Sequence, residues 1–181
     1  MVLHVIALEG PQGAGKTSLL SKLARTHTTE PEVFVDLAPS DLHPQGLLSE
    51  MAWVAGWFQR VIRHQAKRVL FIDRSPHSAV LYANKHNHLL SLIVAAGIQE
   101  LQEIGISIHI VYVRVPEEQL WERVEARLER CPERVKYNEG DREWLRTCRD
   151  FYERGQWAHT VENTDFDVAL SNLEQLASTL G

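Results

Sequence analysis

Eight residues near the start, Gly10-Pro11-Gln12-Gly13-Ala14-Gly15-Lys16-Thr17, constrain this chain more than any others. They follow a run of largely branched apolar residues, Val2-Leu3-His4-Val5-Ile6-Ala7-Leu8, and precede Leu19, Leu20, Leu23 and Ala24 at helical spacing. Such a short apolar run predicts a strand buried on both faces, as in a parallel sheet. A glycine-rich turn between that strand and a helix can wrap so that several backbone N–H groups converge on one phosphate. Lys16 then brings a mobile positive charge to the outer phosphates, and the Thr17 hydroxyl is placed to ligate magnesium. The helix N-terminus behind them favours an anion. A phosphate cradle is therefore expected from Gly10, Gln12, Gly13, Ala14, Gly15, Lys16, Thr17 and Ser18.

Strand and helix signals alternate along the rest of the chain. Strands are expected over 33–37, 68–73, 106–115 and 158–161, and helices over 47–65, 116–129, 141–154 and 167–180. Helical sequence also fills most of 78–103, in one or two pieces. The alternation predicts an α/β fold: a five-stranded parallel sheet with helices on both faces, joined by right-handed crossovers. Ligands of such sheets bind beyond the carboxyl ends of the strands. One domain over residues 1–181 is expected, with a helical lid at about 117–140.

The net charge of -5 supplies no global basic field for nucleic acid or an acidic membrane surface, so an anion site must be built locally. Two cysteines, Cys131 and Cys148, in a chain long enough to bury a core point to a reducing, cytoplasmic compartment without a structural disulfide. The apolar run at the N-terminus is too short for a signal peptide or a membrane span. Nine histidines are scattered without zinc spacing. A homodimer is left open as the assembly.

Asp73 ends the apolar segment Arg68-Val69-Leu70-Phe71-Ile72, where a carboxylate can hold magnesium or its water shell opposite Thr17. The adjacent Arg74 can point at phosphate. Taken together, Leu8-Glu9-Gly10 through Leu19 and Asp73-Arg74-Ser75 resemble the deoxynucleoside kinase and thymidylate kinase superfamily. That superfamily has an acidic residue before the loop glycine and a D/E-R-[SHY] motif at the third strand. Asp73-Arg74-Ser75-Pro76, with Ala79 and Leu81 beyond, is similar to the D-R-H-P segment of herpesviral thymidine kinases. Gly10-Pro11-Gln12-Gly13 is similar to their loop.

The resemblance implies the P-loop fold, ATP or another nucleoside triphosphate as phosphate donor, Mg²⁺, and transfer to a nucleoside. A thymidylate-type nucleotide kinase, a kinase for another small alcohol, and a nucleotide-binding module without transfer are the alternatives. It also implies site roles. Gln59, in Trp57-Phe58-Gln59, stands where these kinases pair a glutamine with the base edge. Trp53 and Trp57 share a helix face and either sandwich a base or pack in the core. Arg123 and Arg127, four apart, match an R-x-x-x-R lid that would neutralise the transferring phosphate. The alternative is a salt-bridged helix, because Glu122, Glu125, Glu129 and Glu133 interleave. The acceptor base is expected at the end of the second strand, where Asp36 stands in Val35-Asp36-Leu37-Ala38-Pro39. The family has a glutamate followed closely by proline there, and Asp36 as a loop or capping residue is the other reading. Ala79 replaces an aspartate that some of these kinases carry, which favours a thymine-like or broad pocket. Asn163-Thr164-Asp165 resembles the segment that lies along adenine.

Overall fold

The computed structural model describes residues 2–33, 46–83 and 86–181. In chain order these form β1 (Leu3–Glu9), α1 (Lys16–Leu23), β2 (Thr28–Glu30), α2 (Leu47–Arg63), β3 (Val69–Asp73), α3 (Pro76–Tyr82), α4 (Asn87–Glu103) and β4 (Ile106–Arg114). There follow α5 (Glu117–Arg130), a 3₁₀ helix (Pro132–Tyr137), α6 (Arg142–Arg154), β5 (His159–Glu162) and α7 (Phe166–Leu180).

The strands form one sheet in the order β2-β3-β1-β4-β5, with every pairing parallel. β1 is central, and its alternate residues feed two separate cores. Ile6 and Leu8 pack with Leu19, Leu20 and Leu23 of α1 and with Ala169, Leu173 and Ala177 of α7. Leu3, Val5 and Ala7 pack on the opposite face with Trp53, Trp57 and Val61 of α2 and with Leu90 and Val94 of α4. Both faces are therefore covered, which is why β1 reads as a continuous apolar run. Register sets Leu8 beside Asp73 on one side and beside Val111 on the other, so the loop after β1 and the end of β3 meet at the carboxyl ends of the strands.

The second strand differs from the sequence expectation. It is Thr28–Glu30, paired with Leu70–Ile72, and Val33 lies in no strand. An edge strand of three half-buried residues needs no apolar run, so the pattern shifted the expectation toward Val33-Phe34-Val35. Residues 34–45, Asp36 among them, lie outside the described residues. The helical stretch over 78–103 resolves into two pieces, α3 and α4. Cys131 and Cys148 are free thiols. Among the described residues no helix is long and apolar enough to cross a membrane.

Candidate active site

The turn from β1 to α1 closes through its glycines. Gly10, Gly13 and Gly15 all have positive φ, which only glycine adopts freely. Crowding adds a second constraint: a Cβ on Gly10 would lie 2.8 Å from the Val113 carbonyl oxygen, and one on Gly15 would lie 2.5 Å from Asn163 Nδ2. Asn163 is 2% exposed and donates from Nδ2 to the Ala14 carbonyl at 2.7 Å. Arg123 donates to the Asn163 carbonyl at 2.9 Å and to that of Gly13 at 3.4 Å. The end of β5 and the first half of α5 thus brace the loop from behind. Asn163 side-chain work was not expected from the sequence, which assigned that segment to its backbone.

Lys16 is buried in the first turn of α1, and its Nζ donates to the carbonyls of Gly10 at 2.6 Å and Pro11 at 3.0 Å. Burial, reinforced by the nearby Arg74 charge, pushes its pKa down to about 8. Thr17 and Ser18 follow on the exposed side of the same turn. The Thr17 hydroxyl donates to Asp73 Oδ2 at 2.7 Å, which closes the loop onto the end of β3. Asp73 is 1% exposed, and its Oδ1 is buried with no hydrogen-bond partner among the described residues. Thr17 and Asp73 together present hard oxygen donors that fit Mg²⁺.

Arg74 follows at φ 68, in the left-handed region. Two backbone contacts hold it there: its N–H donates to the Leu8 carbonyl at 2.9 Å, and its own carbonyl accepts from Trp57 Nε1 at 3.0 Å. The guanidinium is ion-paired to Glu32 at 2.6 Å, donates to Ser78 Oγ at 3.2 Å and lies over the Tyr82 ring. Burial alone would lower the Arg74 pKa, but Tyr82 and Glu32 outweigh it and hold it well above its ordinary value.

Beneath this turn lies a carboxylate that the sequence reading did not place in the site. Glu9 is fully buried. Its Oε1 accepts from the N–H of Ser75 at 2.8 Å and from Ser75 Oγ at 2.7 Å. Its Oε2 accepts from Ser78 Oγ and from the Tyr152 hydroxyl, both at 2.8 Å. The signal was present in the sequence: Glu9 ends an apolar strand just as Asp73 does.

The α5 arginines separate in their contacts. Arg123 faces the loop, as described. Arg127 pairs at 2.7 Å with Glu139, which is 4% exposed and is also gripped by Arg134 through three hydrogen bonds. The partner of Arg127 is thus Glu139, beyond the 3₁₀ helix, rather than the interleaved glutamates of α5. Glu117, at the start of α5, ties α6 to it through Arg146 at 2.8 Å and through Arg149.

Two acceptor-side expectations need correction. Gln59 is exposed, off the α2 face that buries Trp53, Trp57 and Val61, and that buried face is the one that meets the Arg74 turn, through Trp57. Trp57 is 0% exposed and offers no ring face to a ligand; its indole instead supports the Arg74 carbonyl. The α2 residue that does share the Trp53–Trp57 face one turn nearer the site is Glu50. Burial raises its pKa to about 7, Arg74 opposes that rise, and Glu32 adds to it.

Comparison with known proteins agrees with this fold. The family described as the AAA domain matches residues 6–144. No curated protein matches the sequence significantly. Among solved structures, deoxyadenosine kinase from M. mycoides with bound dATP is similar over 96% of this chain and 99% of its own, at 12% identity and a TM-score of 0.65. The same enzyme with the products dCMP and dCDP is similar over 97% and 99%, at 12% identity and a TM-score of 0.58.

Proposed function

The chain belongs to the AAA-domain family of P-loop proteins, and from that premise we propose that it is an ATP-dependent kinase that phosphorylates a nucleoside. The observation that carries the proposal is the Thr17–Asp73 hydrogen bond, with the Arg74–Glu32 ion pair on the adjoining turn. It joins a phosphate-binding loop to a cation-compatible carboxylate and, one residue on, to a charged pair suited to an acceptor hydroxyl. A module that only binds nucleotide has no need of that second part. The fold it shares with deoxyadenosine kinases supports a nucleoside as acceptor.

In this reading the amides of residues 10–17 hold the triphosphate and Lys16 moves from the loop carbonyls to its outer oxygens. Thr17 and Asp73 would hold Mg²⁺, which would supply positive charge to offset that of the phosphates. Glu32 takes the proton of the attacking hydroxyl, oriented by Arg74. Glu32 follows Glu30-Pro31 at the end of β2, so it takes over the role expected of Asp36. Glu30 is less suited, because His64 occupies it at 2.6 Å. Arg123 holds the loop in shape, and Arg127 supplies positive charge from the segment over 117–140, which serves as the lid of a single domain. Such an arginine is worth on the order of 10³ or more in rate.

The test is transfer of labelled γ-phosphate from ATP with Mg²⁺ to a panel of nucleosides and their monophosphates. Transfer to a nucleoside, thymidine included in the panel, supports the proposal. Transfer to monophosphates alone selects a thymidylate-type enzyme. Magnesium-dependent ATP binding without any acceptor selects a binding module.

A further inference from the structure

Glu50 is a buried carboxyl group with no part in the transfer described above. It is 9% exposed, in the first turn of α2. α2 leads through 64–68 into the start of β3, so its N-terminal turn lies toward the carboxyl end of β3, where Asp73 and Arg74 sit. The charges that act on Glu50 are Arg74, on the β3–α3 turn, and Glu32, beyond β2. Arg74 already has Glu32 at 2.6 Å. Among the described residues Glu50 therefore has no cation of its own and makes no hydrogen bond or ion pair. Its side chain is largely out of water, yet its oxygens are not sealed off without a partner, so a donor group can reach them.

We propose that Glu50 is a specificity-determining residue that accepts a hydrogen bond from an N–H or O–H group of an uncharged acceptor. This rests on the kinase reading and narrows its substrate class. Two carboxyl groups, Glu32 and Glu50, share one buried guanidinium, so a monophosphate entering beside them meets like charge, whereas a neutral nucleoside brings donors to both. The donor for Glu50 comes either from an exocyclic amino group of the base or from a sugar hydroxyl. The shared chemistry is a neutral donor facing a buried acceptor. Its strength follows the charge on Glu50, whose pKa near 7 puts its ionisation in the neutral range.

The experiment is calorimetric binding of nucleosides to the full chain, in the presence of Mg²⁺ and a non-transferable ATP analogue, for the native sequence, Glu50→Gln and Glu50→Ala. The probes are 2′-deoxyadenosine, 2′-deoxycytidine, thymidine, and purine and 2′,3′-dideoxy analogues lacking one donor each. We expect Glu50→Gln to weaken binding of a donor-bearing nucleoside about tenfold, the scale of one charge-assisted hydrogen bond. The analogue lacking the relevant donor binds both proteins alike, which identifies the amino group or the hydroxyl as the source. Affinity for the native protein should fall as pH drops through about 7, and that dependence should flatten in Glu50→Gln. Equal affinities for native and Glu50→Gln proteins across the panel, or no nucleoside binding at all, overturn the inference. If Glu50→Ala does not fold, the near-isosteric Glu50→Gln still decides. Nucleoside binding that depends on Glu50 but leads to no transfer with ATP would refute the kinase reading and leave this inference standing.

Discussion

Tyr152 of α6 donates its hydroxyl hydrogen bond to Glu9 Oε2 at 2.8 Å, joining positions 143 residues apart beneath the Arg74 turn. Tyr152 is also stacked on Tyr112 of β4, with ring centroids 5.7 Å apart. The buried carboxylate is satisfied only because α6 returns to the sheet after the lid segment. Removing one donor of four should be tolerable; removing the carboxylate leaves donors from Ser75, Ser78 and Tyr152 without their acceptor. Tyr152→Phe should therefore cost about 1 to 2 kcal/mol in urea unfolding, and Glu9→Ala at least twice that. Equal losses in the two variants would remove Glu9 as the organiser of the turn.

Lys16 gives a prediction in pH. Its pKa is depressed to about 8 by burial and by Arg74, and triphosphate oxygens favour its charged form. Binding of nucleotide should raise the pKa toward the ordinary lysine range. Below pH 8 the ammonium is already formed and binding changes little. From about pH 8 upward, binding must take up a proton, so ATP affinity should fall as pH rises. Calorimetry in two buffers of different ionisation enthalpy at pH 8.5 should show the uptake. Lys16→Ala should abolish it along with most transfer.

Arg123 braces the phosphate loop through two backbone carbonyls, those of Gly13 and Asn163. That geometry separates it from Arg127, whose guanidinium is held by Glu139. Arg123→Ala should weaken ATP binding about tenfold by loosening the loop. Arg127→Ala should lower the turnover number more than ATP affinity. Steady-state kinetics with ATP as the varied substrate checks the split, and a common effect of both variants on KM alone would contradict it.

What the sequence discloses here follows what its patterns encode. The β1 run, the glycine spacing and the carboxylate closing β3 were legible because burial on both faces and phosphate binding both restrict residue types. β2 was misplaced because Thr28–Glu30 is a short, half-buried edge strand with no apolar signature. Gln59 was assigned to the site by resemblance to the glutamine that deoxynucleoside kinases pair with the base edge. Helical rotation puts it off the face that Glu50, Trp53 and Trp57 share. Glu9, Glu139 and Asn163 were missed as working side chains because their partners lie far along the chain or on another element. No local pattern reports such pairing.

The same distinction decides the acceptor base. Sequence analysis pointed to Asp36, which lies outside the described residues, whereas Glu32 is bound to Arg74 at 2.6 Å. Glu32→Gln keeps the shape and a hydrogen bond to the guanidinium but cannot accept a proton from the acceptor. If Glu32 is the base, this change should lower the turnover number by about 10² or more with little change in ATP affinity. Asp36→Asn should leave turnover within about threefold. The reverse pattern would return the role to Asp36 and leave Glu32 as the partner that holds Arg74 in place.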